Sequence, residues 1–218
     1  MNYTTILFDL DGTLLNTLPD LHASVNFALN AHSLPTRTIE QTRRAVGNGV
    51  VKLIARSVPS NTPEALKAQV LETFKSHYAN HSLDQTVPYP GVVELLETLR
   101  EKNVPVAVVS NKHDSAVKTI CDHYFPGLAC VAMGEREEMG VRKKPAPDAV
   151  FAALREMKAD PASAVYVGDS EVDIETARNA SLPCITVTWG FRDREELIGK
   201  GAALIADDTD RLAALLGL

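Results

Sequence analysis

Short apolar runs recur along the chain, and polar residues follow each of them. The main runs are residues 4–8, 104–109, 164–167 and 183–187, with shorter candidates at 128–133 and 202–206. A nearly continuous apolar run of this length predicts a strand that is buried on both faces of a parallel sheet. We therefore expect the polar residues after these runs to lie at the carboxyl ends of neighbouring strands.

Helical patterns lie between the predicted strands. One face of the predicted helix at residues 92–101 carries Val92, Leu95, Leu96 and Leu99, the three-and-four spacing of an amphipathic helix. The other helices predicted in this part of the chain are residues 115–124, 147–157, 173–179, 194–200 and 210–216. Because strands and helices alternate, the sequence predicts an α/β fold with helices on both faces of a parallel sheet.

The segment between the first strand and residue 88 breaks this alternation, because it carries only helical patterns. Its predicted helices are residues 19–31, 39–46, 50–58 and 63–79. Pro88 and Pro90 stiffen the return to the strand-rich part of the chain. We predict two domains, an α/β core of residues 1–16 and 88–218 and an inserted all-α domain of residues 17–87.

Composition and charge narrow the functional classes. The chain has 218 residues, a formal net charge of −6 and 45% hydrophobic residues, and its basic residues are scattered. These features suit a globular protein and offer no basic surface to nucleic acid or to an anionic membrane. No apolar stretch approaches the about 20 residues that span a bilayer, and the first residues lack a basic signal region. We expect a cytoplasmic protein that is a monomer or a homodimer.

Aspartates are concentrated at the predicted strand ends. Asp9 and Asp11 follow the first strand, and Asp169 and Asp173 follow the run at residues 164–167. Because ligands of open α/β sheets bind at the carboxyl ends of the strands, we expect these carboxylates to converge. Their mutual repulsion would raise several pKa values unless a cation compensated them. A set of oxygen ligands favours Mg²⁺ over Zn²⁺, and Mg²⁺ commonly binds substrate phosphate as well.

Two further polar residues belong to the same predicted edge of the sheet. Ser110 follows the run at 104–109, and Lys144 lies in a proline-broken loop before a predicted helix. Alone, such a residue is more typical of a helix cap, a turn or a solvated surface, and the same holds for a single aspartate after a strand. The four loops together, in this order, favour one site for a metal and a phosphate.

Four short motifs give the chain a resemblance to the haloacid dehalogenase superfamily. They are Asp9-Leu10-Asp11-Gly12-Thr13-Leu14, Ser110-Asn111, Lys144-Pro145-Ala146-Pro147 and Gly168-Asp169-Ser170-Glu171-Val172-Asp173. The resemblance covers almost the whole chain. It implies a Rossmann-like α/β core, with the helical insertion as a cap over the active site.

The resemblance also implies a phosphatase that works through an aspartyl-phosphate. Asp9 would be the nucleophile, Asp11 the general acid and base, and Lys144 the counter-charge of the nucleophile and the phosphoryl group. The implied Mg²⁺-binding residues are Asp9, Asp11 through its backbone carbonyl, Asp169, and Asp173 from behind them or through water. The implied phosphoryl-binding residues are Ser110, Asn111 through its amide, and Gly12 through its backbone. Thr13 would fix the loop.

A glycine loop in the insertion is the candidate for further substrate contacts. Gly47, Asn48 and Gly49 precede a predicted helix, and the nearby positive charges are Arg43, Arg44 and Lys52. Free N–H groups at the start of a helix can bind an anion; equally, the glycines can simply join two helices whose charges are solvated. Residues 46–50 are similar to the corresponding segment of phosphoglycolate phosphatases, which implies a small, doubly anionic substrate such as 2-phosphoglycolate.

Other functions remain open at this stage. A phosphosugar phosphatase or a phosphomutase would use the same core residues. A dehalogenase has no use for Asp11, and a phosphonate hydrolase would need a cap lysine, for which Lys52 is a weak candidate. A phosphorylatable signalling domain would carry its phospho-acceptor after a middle strand and no helical insertion, and a non-catalytic binding protein would not need every catalytic position filled. The expected partner is a small phosphorylated metabolite, without nucleic acid or membrane.

Overall fold

The computed structural model describes residues 3–218, so the first two residues of the predicted core lie outside the described range. The chain folds into two compact units. An α/β unit comprises the chain up to Leu15 together with Pro88–Leu218, and a helical unit comprises Asn16–Val87. That the helical unit acts as a cap stays a prediction.

The described residues form one six-stranded sheet and a separate pair of short strands. The strands are β1 (Thr5–Phe8), β2 (Leu15–Asn16), β3 (Val87–Pro88), β4 (Val106–His113), β5 (Val131–Glu135), β6 (Ala164–Gly168), β7 (Cys184–Val187) and β8 (Leu204–Ala206). Six of them form a parallel sheet in the order β5-β4-β1-β6-β7-β8, and β2 and β3 pair separately. The predicted α/β fold with a parallel sheet is confirmed.

Helices follow the strands of the sheet and make up most of the helical unit. The helical unit holds α1 (Leu18–Ala31), α2 (Ile39–Ala45), α3 (Val50–Ser57) and α4 (Glu64–His81). The α/β unit holds α5 (Val92–Glu101), α6 (Asp114–Tyr124), α7 (Asp148–Met157), α8 (Glu171–Asn179), α9 (Arg194–Gly199) and α10 (Thr209–Leu216). Within residues 3–218, no helix combines the length and the apolar character that crossing a bilayer requires.

The central strand β1 explains why the site forms where it does. It pairs with β4 on one edge and with β6 on the other, and Leu7 and Phe8 are fully buried. Apolar side chains of α7 and α8 pack on one face of the sheet in a core that includes Leu7, Val109, Val150, Leu154 and Ala177. Because the strands are parallel, the polar residues at the ends of β1, β4 and β6 share one edge.

Each unit is closed by its own contacts. In the helical unit, the buried carboxylate of Asp20 accepts hydrogen bonds from the backbone N–H groups of Gln85 and Thr86 and from the Thr86 hydroxyl. Its apolar core joins α1, α3 and α4. In the α/β unit, the N–H of Tyr89 donates to the carbonyl of Leu14 at 3.1 Å, which brings together the two ends of chain that flank the helical unit.

The observed elements differ from the predicted ones mainly at their ends. Strand β4 continues to His113, so Ser110 lies in its last residues instead of after it, and the ladder to β5 changes register between Val109 and His113. Helix α8 begins at Glu171, two residues earlier than predicted. The N–H and hydroxyl of Ser170 donate to the Asp173 carboxylate, and these hydrogen bonds cap the start of the helix. The pair β2 and β3 escaped prediction, since two-residue strands leave no periodic pattern.

Candidate active site

The loop after β1 fixes the first two aspartates. The N–H of Asp9 donates to the carbonyl of Val167 at 2.8 Å, which continues the ladder to β6 one residue beyond the strand. The chain then turns sharply, because the Leu10 carbonyl accepts hydrogen bonds from the N–H groups of Leu14 and Leu15, each at 3.0 Å. Gly12 has a φ of +88°, a conformation that favours glycine. This turn holds the Asp9 carboxyl group at the sheet edge, with 8% of the residue exposed.

Lys144 is bound to the nucleophile candidate. Its Nζ lies 2.7 Å from Asp9 Oδ1, 2.8 Å from Asp173 Oδ1 and 3.0 Å from the hydroxyl of Tyr166. The side chain is almost completely buried, whereas Lys143 is partly exposed and its Nζ lies 3.4 Å from Glu137. Of the two adjacent lysines, Lys144 is therefore the one that points into the site.

Asn111 positions Lys144 through the main chain. Its side-chain Oδ1 accepts from the N–H of Lys144 at 2.7 Å, and its Nδ2 donates to the Lys144 carbonyl at 3.0 Å. The Lys144–Pro145 peptide bond is cis. The expected contact of the Asn111 amide with a phosphoryl oxygen is therefore left to the backbone N–H, because the side-chain amide is used at both ends.

Asp173 binds the ammonium group of Lys144. Its Oδ1 accepts from the Lys144 ammonium and lies 3.3 Å from the Tyr166 hydroxyl, and its Oδ2 accepts from the N–H and the hydroxyl of Ser170. Both oxygens therefore have partners within the α/β unit. This geometry favours a role behind the site, in holding the lysine, over direct binding of a metal.

Asp169 is held by the loop that follows β7. The N–H of Phe191 donates to Asp169 Oδ2 at 2.7 Å, and the Thr13 hydroxyl lies 3.5 Å from Oδ1. Trp189 Nε1 donates to the carbonyl of Thr13 at 3.0 Å, so the predicted fixing of the first loop involves a partner from a distant part of the chain. A Cβ on Gly190 would lie 2.3 Å from Asp169 Oδ2, so only glycine leaves the carboxylate its place.

The charges of this cluster do not balance. Burial, with Asp173 and Asp11 nearby, raises the pKa of Asp9 to about 7 although Lys144 opposes the shift. Burial and the charges of Asp173 and Asp9 raise the pKa of Asp169 well above its ordinary value. Burial alone would lower the pKa of Lys144, but Asp173 and Asp9 outweigh it, so that this pKa is raised well above its ordinary value and the lysine stays charged.

The residues present can hold a divalent metal ion. Asp9, Asp169 and Asp173 each offer a carboxylate oxygen, and these three atoms lie within 4.8 Å of one another. Carboxylate oxygens are hard ligands, and the raised pKa values of Asp9 and Asp169 indicate negative charge that a cation would stabilise. Asp9 and Asp169 are the better-placed ligands, since Asp173 is occupied by Lys144 and Ser170.

Comparison with known proteins decides the family. Residues 6–187 match the family model described as haloacid dehalogenase-like hydrolase, a range that contains all four motifs. The chain belongs to this family. The resemblance read from the motifs is thereby confirmed, and so is the class of fold.

Three proteins similar to this haloacid dehalogenase-like hydrolase carry the name phosphoglycolate phosphatase. The phosphoglycolate phosphatase of Pseudomonas syringae pv. syringae is 32% identical, covering 95% of this chain and 77% of that protein. That of Haemophilus influenzae is 32% identical and covers 98% of both. A crystal structure from Lactobacillus delbrueckii subsp. bulgaricus, of a candidate phosphoglycolate phosphatase, is 35% identical with a TM-score of 0.93 over 99% of both chains. The predicted enzyme class, a phosphoric monoester hydrolase, is confirmed.

Asp11, the candidate acid and base of this hydrolase, has a cationic neighbour that the motifs did not reveal. Its Oδ1 lies 3.2 Å from Nζ of Lys112, and both side chains are largely buried. The N–H of Lys112 also donates to the hydroxyl oxygen of Ser110 at 3.2 Å, which leaves the hydroxyl proton for another acceptor. The sequence signal was a lysine directly after Ser110-Asn111, which reads as a solvated residue until its neighbours are known.

The substrate-binding residues predicted in the insertion lie in the helical unit. Gly47, Asn48 and Gly49 have φ values of +124°, +62° and +84°, and Gly49 caps α3. Arg56, which the sequence did not single out, donates from Nη1 to the carbonyls of Ala45 and Gly47 at 3.1 Å each. This arginine fixes the loop from within the same unit.

The charges near this loop are partly neutralised. Arg43 and Arg44 both pair with Glu40, at 2.8 and 2.7 Å, and Arg44 remains 74% exposed. Lys52 is exposed on α3. The ion pairs reduce the positive charge that these arginines can offer to an anion, and the role of the loop in substrate binding stays a prediction.

Proposed function

We propose that this hydrolase is a Mg²⁺-dependent phosphatase that cleaves a small phosphate monoester through an aspartyl-phosphate on Asp9, with 2-phosphoglycolate as the first candidate substrate. The observation that carries the proposal is the ion pair of Lys144 with Asp9 at 2.7 Å, beside a second buried carboxylate, Asp169. A nucleophilic carboxylate, a fixed counter-charge and metal-binding oxygens are the parts that phosphoryl transfer through an aspartate needs.

In the first half-reaction, a carboxylate oxygen of Asp9 attacks phosphorus in line. The Asp9–phosphorus bond forms as the phosphorus–ester oxygen bond breaks, and Asp11 delivers a proton to the departing oxygen. In the second half-reaction, Asp11 takes a proton from a water molecule that attacks phosphorus. The acyl phosphate is cleaved, inorganic phosphate leaves, and Asp9 is regenerated as a carboxylate.

The surrounding groups stabilise charge during these steps. Lys144 offsets the charge of Asp9 and of the phosphoryl oxygens, and it is kept in place by Asn111 and Asp173. The Ser110 hydroxyl can donate to a phosphoryl oxygen. A Mg²⁺ held by Asp9, Asp169 and the Asp11 carbonyl would supply the positive charge that Lys144 alone does not, which keeps Asp9 ionised and lowers repulsion toward the phosphate.

The names of the relatives support 2-phosphoglycolate as the candidate substrate. A phosphosugar phosphatase and a phosphomutase remain the alternatives, because both use the same core residues. They differ in product: a phosphatase releases inorganic phosphate, whereas a mutase returns the phosphoryl group to the sugar.

A substrate panel tests the proposal. We expect the purified protein to release phosphate from 2-phosphoglycolate with a higher kcat/KM than from para-nitrophenyl phosphate or sugar phosphates, only with Mg²⁺ present. Asp9→Asn should abolish turnover with an unchanged circular dichroism spectrum, and mass spectrometry of rapidly quenched wild-type protein should locate phosphate on Asp9. Full activity of Asp9→Asn, or activity in excess chelator, would contradict the proposal; isomerisation of a sugar phosphate without phosphate release would favour the mutase.

A further inference from the structure

We infer that Trp189 is a positioning residue for Asp11, because its indole N–H holds the main chain of the loop that carries this aspartate. The inference rests on the proposed function and deepens it, since it assigns a residue to the step in which Asp11 delivers a proton to the departing oxygen. Trp189 follows β7 and lies outside the four motifs and outside the insertion.

The loop after β1 closes on itself through main-chain hydrogen bonds. The Leu10 carbonyl accepts from the N–H groups of Leu14 and Leu15 at 3.0 Å each, and the N–H of Gly12 donates to the Leu15 carbonyl at 2.9 Å. The carbonyl groups of Thr13 and Leu14 take no part in this closure. Both residues are only 1% exposed, and a buried carbonyl group needs a hydrogen-bond partner from elsewhere in the protein.

Two aromatic residues from distant segments supply these partners. Trp189 Nε1 donates to the Thr13 carbonyl at 3.0 Å, and the backbone N–H of Tyr89 donates to the Leu14 carbonyl at 3.1 Å. The two aromatic rings are neighbours, with centroids 6.3 Å apart and planes tilted by 53°. Consecutive carbonyls of the loop are therefore held by one aromatic pair, in which Trp189 is the residue that binds through its side chain.

The held carbonyl is close to Asp11 along the chain. Thr13 lies two residues after Asp11, and the residue between them is Gly12, whose backbone is intrinsically permissive. The hydrogen bond from Trp189 supplies a restraint that glycine does not. Asp11 must bring its carboxyl group within hydrogen-bond reach of the ester oxygen, and a misplacement of about 1 Å can lower a rate about a hundredfold.

A misplaced general acid reveals itself through the leaving group. An alkoxide is a poor leaving group and needs the proton of Asp11 as its bond to phosphorus breaks, whereas para-nitrophenolate is a stable anion that leaves without a proton. The ratio kcat/KM covers the steps up to the aspartyl-phosphate, so it reports Asp11 as the acid and not as the later base. A fault in the metal site or in the fold would instead affect both kinds of ester equally.

The test is Trp189→Phe, which keeps an aromatic ring and removes the N–H donor. In the full-length protein with saturating Mg²⁺, we expect kcat/KM for two alkyl esters, 2-phosphoglycolate and glycerol 3-phosphate, to fall about tenfold or more, as part of the contribution that a well-placed general acid makes. For para-nitrophenyl phosphate the fall should be several times smaller.

A second replacement removes the donor without changing the shape of the ring. Because Trp189 is the only tryptophan of the chain, growth of a tryptophan auxotroph on benzothienylalanine, in which sulfur stands in place of the indole N–H, changes this residue alone. This protein should show the same selective loss, and it keeps the test valid should Trp189→Phe fold poorly, as judged by its melting temperature.

The matched control is Ser163→Ala. The Ser163 hydroxyl also donates to a main-chain carbonyl, that of Asp160 at 3.1 Å, but it does so just before β6, at the end of the sheet opposite the aspartates. Its loss should leave the ratio of kcat/KM for alkyl and para-nitrophenyl esters unchanged.

The outcomes separate this inference from the proposed function. An equal loss on the alkyl and para-nitrophenyl esters, or no loss in the benzothienylalanine protein, would overturn the inference. A selective loss on alkyl esters supports it even if the wild-type protein prefers an alkyl ester other than 2-phosphoglycolate, because the comparison concerns the leaving group. The aspartyl-phosphate proposal is judged separately, by the activity of Asp9→Asn.

Discussion

The side chain of Asn111 binds the main chain of Lys144 at both ends, donating to its carbonyl at 3.0 Å and accepting from its N–H at 2.7 Å. Strand β4 and the loop that carries the lysine are thus joined by a pair of hydrogen bonds. The distance from Lys144 Nζ to Asp9 therefore depends on a residue that touches neither the nucleophile nor the ammonium group.

Asn111→Ala should lower kcat by about ten- to a hundredfold, because it removes two hydrogen bonds worth about 1 kcal/mol each and releases the Lys144 backbone. The matched control is Asn179→Ala. Asn179 Nδ2 donates to the carbonyl of Pro145, one residue further along the same loop, at 2.9 Å. Steady-state kinetics with melting temperatures would test this; equal kcat losses in the two variants would show that the loop, and not the placement of Lys144, is what matters.

Gly190→Ala should weaken metal binding. A Cβ at this position would lie 2.3 Å from Asp169 Oδ2 and 2.4 Å from the Gly12 carbonyl, so the metal-binding carboxylate must move. Titration calorimetry with Mg²⁺ should show a loss of affinity of about tenfold or more, since groups that orient metal ligands commonly contribute that much. Gly199→Ala is the control, because nothing lies within 4 Å of the added Cβ; unchanged Mg²⁺ affinity in Gly190→Ala would refute the role of this loop.

Asp9→Asn should stabilise the metal-free protein, and more so at pH 8 than at pH 5. The folded-state pKa of Asp9 is raised from 3.8 to about 7. Between these values the folded state binds more protons than the unfolded state, so this group's contribution to stability falls as the pH rises from about 4 to 7 and stays low above that. An asparagine cannot ionise, so the variant does not lose this stability as the pH rises.

Melting temperatures across this pH range, in chelator, provide the measurement. Asp122→Asn, a change of an exposed aspartate on α6, is the control and should leave the pH profile as it is. A parallel shift of Asp9→Asn at all pH values would mean that packing, and not the ionisation of Asp9, causes the change. Added Mg²⁺ should narrow the difference between the wild-type protein and Asp9→Asn, because it compensates the charge.

Tyr166→Phe should lower the free energy of unfolding by about 1–3 kcal/mol, the usual cost of leaving a buried polar group without its partner. The hydroxyl accepts from Lys144 Nζ at 3.0 Å and has the Val109 carbonyl and Asp173 Oδ1 as acceptors, each at 3.3 Å. Denaturant unfolding would measure the loss, and kcat should fall severalfold because the ammonium group gains freedom. A variant as stable and active as the wild type would show that Asp173 and Asp9 alone hold Lys144.

The closeness of Asp9, Asp169 and Lys144 in space could be predicted from the sequence, because a polar residue that ends an apolar strand is a local signal; their roles stay predictions. Asp9 and Asp169 end two neighbouring strands, and parallel topology alone brings such residues to one edge. Lys144 is the lysine of the motif Lys144-Pro145-Ala146-Pro147, and the structure buries it while the adjacent Lys143 stays partly exposed.

The contacts that position these residues could not be predicted in the same way, since their partners are distant in the chain. Tyr166 lies inside an apolar strand run and reads as one more β-prone aromatic residue. Asn111 reads as a phosphate ligand until its side chain is seen on the backbone of Lys144. Trp189 and Gly190 follow a strand that carries no motif. Trp189 nevertheless donates to the Thr13 carbonyl, and Gly190 leaves room for the Asp169 carboxylate.

The hydrogen bond from the Tyr89 N–H to the Leu14 carbonyl, at 3.1 Å, lies inside the α/β unit and joins the two ends of chain from which Asn16–Val87 departs and to which it returns. The gap left by removing that segment is accordingly narrow enough for a short turn. The helical unit can therefore be replaced. Segments from other members of the family could be grafted between these ends, while the hydrogen bonds that hold Asp169 and Lys144 within the α/β unit remain.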